Sequence, residues 1–325
     1  MYTPLRHAES EFIPIRKLRY HVLRWGSAPA ADSHKPLLVM MHGWMDVAAS
    51  FQFIVDAFSA DFLRDRTLIA ADWRGYGLSG LTPEQSLTGP VPDTGVAYTC
   101  HDSYWFPDYL ADLDALLDHY APGQAVDLLG HSMGGHVVSL YAGARPQRIR
   151  HLINLEGYGL PATQAEQAPE RYAQWMDELQ QRDRGDITLT VYASAEAVAQ
   201  RLMRTNQRLP LDKALWLAHQ WSRPDAQGRW HILGDVAHKL VNPQLYRAEE
   251  AVACYRRISA PTLLIHASDD HLQQVWQGRY PQAEMLERLR HIPQLQRHTM
   301  PDTGHMLHHD QPQALAQRIE QFLGA

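Results

Sequence analysis

Apolar residues along this chain fall into short unbroken runs, separated by stretches in which they recur every three or four positions. Residues 36–41, 67–71, 125–129, 149–155 and 261–266 are runs of the first kind, ending near His42-Gly43, Asp72, Gly130, Glu156 and Ala267-Ser268. Each is too short for a stable helix, and most carry no polar alternate face. Such runs suit strands buried on both sides of a parallel sheet. Residues 17–24 alternate more loosely and predict an opening strand. Residues 294–299 predict a last strand, more polar and therefore at an edge.

Helical spacing fills the intervals. Residues 107–120 place Leu110, Leu113, Leu116 and Leu117 on one face, and residues 132–144, 246–257 and 312–323 repeat that pattern. Strand alternating with helix predicts an α/β fold whose mostly parallel sheet is covered on both faces. Two stretches break the rhythm. Residues 81–101, rich in Thr, Pro, Gly and Asp, read as a long loop at the ligand-facing end of the sheet. Residues 158–245 show no convincing strand but helical patterns at 170–181, 195–205 and 211–221. They read as a helical cap inserted into a core made of 1–157 and 246–325. Its Trp175, Trp216, Trp221 and Trp230 are expected to pack between cap helices. No internal repeat or low-complexity segment is present.

Composition changes this picture little. The 325 residues are 45% hydrophobic and 20% charged, ordinary for a globular protein, and enough for one domain carrying an insertion. A net charge of -6 without a Lys/Arg block offers nothing to nucleic acid or an anionic membrane. The opening MYTPLRHAESEF lacks an apolar signal core, and no run of about 18 apolar residues predicts a membrane span. Cys100 and Cys254 have no CxxC spacing, so two free thiols in a reducing, cytoplasmic setting are expected.

The candidate chemistry sits where strands end. Gly130-His131-Ser132-Met133-Gly134-Gly135 follows a strand and opens a helix, fitting the G-x-S-x-G turn that lifts a nucleophilic serine clear of the sheet. The Met133 N–H, at a helix N-terminus, can stabilise developing negative charge. His42-Gly43-Trp44-Met45-Asp46 follows another strand. The Trp44 N–H is the natural second oxyanion donor, with His42 expected to fix the loop by hydrogen bonds. A serine needs an adjacent base. His305, in Asp302-Thr-Gly-His305 after the last strand, is the histidine of 19 whose position fits. The carboxylate that orients it is Asp270 or Asp269, after the strand at 261–266, or Glu156, after the strand at 149–155. Asp72-x-Arg74-Gly75-x-Gly77-x-Ser79 reads as a structural turn and lacks the rest of a dinucleotide fingerprint. His308 and His309 read as polar loop and helix start. No carboxylate stands at metal-ligand spacing from them, so neither a metal nor another cofactor is implied.

Together these motifs resemble the α/β-hydrolase family over residues 17–324. Within it, His42-Gly-Trp-Met-Asp46 and Tyr104-Trp-Phe-Pro-Asp108 resemble the serine-hydrolase-like branch. The resemblance implies an eight-stranded, mostly parallel sheet with a helical cap after the sixth strand, and Ser132, Asp270 and His305 as the triad. The chain departs from the family pattern at Ala267, where a glycine usually stands three residues before the catalytic aspartate. Relatives that open epoxides or cleave carbon–halogen bonds use an aspartate nucleophile, and Ser132 argues against both. The expected reaction is hydrolysis of a carboxylic ester of small or medium acyl size through an acyl-enzyme. Thioester, lactone, amide or carbon–carbon cleavage, acyl transfer, and ligand binding without turnover use the same fold. The expected partner is a small-molecule ester.

Overall fold

The unbroken apolar runs become the inner strands of one sheet. The computed structural model describes residues 2–26, 35–80, 102–269 and 275–324. In chain order the strands begin with β1 (Glu9–Ile15), β2 (Leu18–Trp25), β3 (Leu38–Met41), β4 (Leu68–Ala71), β5 (Val126–His131) and β6 (Ile149–Leu155). Three short strands follow, β7 (Val191–Tyr192), β8 (Ser222–Pro224) and β9 (Trp230–Ile232), and then β10 (Thr262–Ala267) and β11 (Leu295–Met300). The main sheet has the order β1-β2-β4-β3-β5-β6-β10-β11. Its β1–β2 and β2–β4 pairings are antiparallel and the rest are parallel. The polar strand β11 lies at an edge, as its composition predicts.

Helices α1 (Gln52–Ala57) and α2 (Ala60–Leu63) follow β3, α3 (Phe106–Tyr120) precedes β5, and α4 (Met133–Ala144) connects β5 to β6. Next come α5 (Ala168–Asp183), α6 (Ala195–Thr205), α7 (Leu211–Trp221), α8 (Ala248–Tyr255) and α9 (Gln282–Leu289). The last are α10 (Leu307–Asp310) and α11 (Pro312–Leu323). Side chains alternate across the sheet with period two. Val39, Met41, Ile69, Leu128, Leu152 and Leu264 therefore join one core with α3, α4, α8 and α9. Leu38, Met40, Leu68, Leu129, Ile153 and Leu263 join the opposite core with α1 and α11. This two-sided burial is the reason these strands have no polar face.

Two findings differ from the sequence reading. Strand β1 was not expected. Its Glu9, Ser10 and Glu11 are exposed or half-buried and its Pro14 cannot donate to a ladder, which an edge strand tolerates. Residues 158–245 do contain strands. A small sheet of order β7-β9-β8 joins α6 and α7, with strands of two or three residues, too short for alternation to show. Around it Trp221 is buried and Trp216 and Trp230 are partly buried, in a cluster that reaches Val47, Ala49 and Phe53 of the core. Trp175 lies elsewhere and donates to Ser103 Oγ at 2.8 Å. The expected loop at 81–101, with Cys100, lies outside the described residues. Among the described residues, no helix is long and apolar enough to cross a membrane.

The turn after β4 is fixed by two buried carboxylates. Asp72 accepts from Ala48 N (2.7 Å) and Leu78 N (2.9 Å), and the Ser79 hydroxyl donates to Asp72 O (2.7 Å). Asp112 of α3 accepts from Arg74 Nε (2.5 Å) and Nη2 (2.7 Å), and from the Tyr20 hydroxyl. Both partners are buried, Asp112 completely. Arg74 also pairs with the part-exposed Asp108 at 3.2 Å, but without Asp112 it loses its two shortest contacts and its buried counter-charge. Asp112→Ala is therefore expected to destabilise the protein by about 3 kcal/mol, measured by urea unfolding. A loss below about 1 kcal/mol would mean that Asp108 suffices as the partner of Arg74.

Candidate active site

The nucleophile turn is built by crowding. Strand β5 runs straight into α4 through Ser132, whose backbone takes φ 53° and ψ -118°, a region non-glycine residues avoid. Ser132 N donates to Leu155 O at 2.8 Å, and His136 N donates to Ser132 O at 3.0 Å. A side chain at Gly134 would stand 2.2 Å from Met41 O, so only glycine lets the helix start pass so close to β3. The result is a serine held above the carboxyl ends of the strands, where ligands bind in open α/β sheets.

His305, in the loop between β11 and α10, reaches the serine. Ser132 Oγ lies 2.9 Å from His305 Nε2, and His305 Nδ1 lies 3.3 Å from Glu156 Oε2. A proton on Nδ1, donated to the carboxylate, leaves Nε2 free to accept from the serine. Glu156 is buried, and its Oε1 accepts from Ala267 N and the Tyr158 hydroxyl, both at 2.8 Å. Of the three carboxylates considered from sequence, Glu156 is the one seen against His305. Asp269 pairs with Arg208 Nη2 at 2.8 Å. Asp270 lies outside the described residues. What singled out Glu156 in the sequence was its place after a buried strand; the contacts of Tyr158 and Ala267 gave no signal there.

The loop after β3 closes the other side. A side chain at Gly43 would stand 3.1 Å from Ser132 Cβ, so this backbone packs directly on the nucleophile. His42 anchors the loop: its Nδ1–H donates to Gly43 O at 2.8 Å, its Nε2 accepts from Trp73 N at 2.9 Å, and its carbonyl accepts from Trp73 Nε1 at 2.9 Å. Burial pushes the His42 imidazole down to about 4, so it stays neutral at pH 7 and keeps one donor and one acceptor nitrogen. Trp44 and Met133 line one cavity together with Ser132, Glu156 and His305.

That cavity is about 630 Å³ and rich in aromatic side chains, with Tyr76, Tyr104, Phe106, Tyr109 and Trp276 in its wall. Among the described residues that line it there is no Lys or Arg. Residues 158–160, 237–238 and 240–242, from the insertion, form part of the wall. The insertion is fastened there by the His238 ring, stacked between Tyr76 and Tyr104 with centroids 3.8 and 3.7 Å away. Cys254 is half-buried with a free thiol, distant in role from this chemistry.

The fold is that of the α/β hydrolases. A profile of the alpha/beta hydrolase fold matches residues 36–312, and the chain belongs to that family. It is similar to a serine hydrolase-like protein of Danio rerio, 28% identical over 165 residues, covering 50% of this chain and 42% of that protein. It is also similar to a serine hydrolase-like protein of Dictyostelium discoideum, 24% identical over 310 residues, covering 92% of this chain and 77% of that protein. The match thus spans less than half the length of the Danio rerio relative. In fold it is similar to a solved thioesterase domain from the curacin biosynthetic pathway, with a TM-score of 0.76 and 21% identity, covering 97% of this chain and 99% of that domain.

The geometry separates the candidate acids by experiment. Glu156→Gln keeps the shape but loses the charge and the tautomer preference. It is expected to lower kcat by roughly 10³-fold or more, while Asp270→Asn is expected to change kcat by less than about 10-fold. The reverse ranking would move the orienting role to Asp270.

Proposed function

We propose that the protein is a serine hydrolase that cleaves carboxylic esters of uncharged, largely apolar compounds of small or medium acyl size. The observation that carries this reading is the Glu156–His305–Ser132 chain of contacts, at 3.3 and 2.9 Å, opening into an aromatic cavity. His305 Nε2 takes the Ser132 proton as Oγ attacks the ester carbonyl. Glu156 holds the imidazole and stabilises its positive charge. The oxyanion is received by the Trp44 and Met133 backbone N–H groups, each such donor being worth about 2.7–4 kcal/mol of transition-state stabilisation. His305 then gives its proton to the leaving alkoxide. A water activated by the same ring opens the acyl-enzyme.

The cavity supports the substrate class. Aromatic walls favour an apolar acyl or alcohol group. The charged side chain seen in the lining is the Glu156 carboxylate, which repels anionic substrates, and among the described residues no Lys or Arg lines the cavity to hold one. Residues 158–245 act in this reading as a cap that shapes the pocket, since they supply much of its wall. The same machinery hydrolyses thioesters, and the name of the curacin domain makes these the second substrate class to try.

The test uses a fluorophosphonate probe and a panel of p-nitrophenyl esters. Wild type is expected to label and to turn over neutral acyl esters faster than esters with a terminal carboxylate. Ser132→Ala is expected to lose labelling and at least about 10⁴-fold in turnover. Ester turnover unchanged in Ser132→Ala would overturn the proposal.

A further inference from the structure

We propose that Asp46, His131 and His308 form a site for one divalent transition-metal ion of the zinc type, buried behind the Ser132–His305 pair. All three side chains are buried, His308 completely. One ligand atom from each lies within 4.8 Å of the other two. Asp46 Oδ2, His131 Nδ1 and both ring nitrogens of His308 have no hydrogen-bond partner. Buried polar atoms are rarely left so, and here the unpartnered atoms belong to side chains that converge. Two imidazoles and one carboxylate are a donor set that zinc and its neighbours take.

The surroundings of the cluster resemble those of ligands already oriented. His131 Nε2 lies 2.8 Å from His305 O. A carbonyl accepts only, so Nε2 carries the ring proton and Nδ1 presents a lone pair. An imidazole that donates one N–H to a carbonyl and offers the other nitrogen is the usual arrangement of a metal-bound histidine. The Asp46 carboxylate is fixed through its other oxygen, Oδ1, which accepts from Val47 N (2.8 Å), Trp221 Nε1 (3.1 Å) and the Ser50 hydroxyl. His308 sits among rings, 5.4 Å from Phe51 and 4.5 Å from His131 between centroids. No hydrogen bond to either ring nitrogen holds its side chain. The donors, within 4.8 Å of one another, would close to the roughly 3.4 Å separations of a tetrahedral zinc site on binding the ion.

Such an ion would tie together three loops. Asp46 lies two residues beyond Trp44, His131 directly precedes Ser132, and His308 is three residues beyond His305. The sequence offers no carboxylate at ligand spacing from His308; the fold brings one from 262 positions away. The inference does not depend on the proposed esterase reaction, because its readout is the metal itself.

Untagged protein is purified from zinc-supplemented cultures, desalted, and its metal counted by mass spectrometry, with Co²⁺ exchange followed by visible absorption. Wild type is expected to hold one zinc per chain and to give the ligand-field bands of a low-symmetry cobalt site. Asp46→Asn and His308→Phe are expected to lose both, with affinity down by more than about 100-fold, and Trp221→Phe to weaken binding by about 10-fold. The last variant keeps all three ligands and covers the case in which the others fail to fold. Folded wild type without metal, or equal metal in wild type and variants, would overturn the site. The latter would assign the ion to surface histidines. Fluorophosphonate labelling of the same samples reports the serine separately.

Discussion

The close passage of the β5–α4 turn beneath β3 and β6 is the constraint on which this molecule depends. Three backbones meet there, and the glycine at position 134 stands where a side chain would overlap Met41 O. Ser132 takes an unfavourable backbone conformation, which costs on the order of 1–3 kcal/mol. It is held by bonds to neighbouring backbone on both sides. The strain persists because the sheet around it is buried on both faces and cannot give way locally. What results is a hydroxyl displayed at the strand ends, with the start of a helix behind it.

Every other part of the site is placed relative to that turn by a neighbouring strand. Strand β3 delivers the Gly43–Trp44 backbone, β6 delivers Glu156, and β11 delivers His305. Glu156 is fixed in turn by Ala267 N at the end of β10. Parallel strands end at one edge of the sheet, so residues far apart in sequence converge there without long side chains. Two other carboxylates have cationic partners of their own: Asp112 pairs with Arg74, and Asp269 with Arg208. The buried Glu156 carboxylate is left facing His305 Nδ1, at 3.3 Å.

The insertion is joined to the core by ring stacking and side-chain hydrogen bonds around the cavity, with the ion pairs Arg208–Asp269 and Arg182–Asp102 beside them. His238 lies between Tyr76 and Tyr104, Trp44 Nε1 donates to His238 O at 3.3 Å, and Trp221 Nε1 reaches Asp46. These contacts put residues of the insertion against the loop after β3. Pocket shape and loop position are thus coupled through the packing of aromatic side chains over Ser132.

The sequence by itself determined the architecture and singled out Ser132 and His305, which the fold brings to 2.9 Å. Buried parallel strands must be apolar on both faces, so their runs were visible at 36–41, 67–71, 125–129, 149–155 and 261–266. The nucleophile turn needs glycines at fixed offsets, so Ser132 was visible too, and His305 followed from its place after the last strand. Local pattern fails where structure is short or polar, which is why β1 and the small β7-β9-β8 sheet were not foreseen. It fails also where the partner is remote. Three carboxylates after two strands were open by position, with the family resemblance pointing to Asp270, and only the folded chain shows Glu156 against His305 and Asp269 against Arg208. Likewise only the fold gathers Asp46, His131 and His308. Periodicity records which face of an element is buried, whereas the identity of a polar partner depends on which strand ends meet, and that is decided by the sheet order.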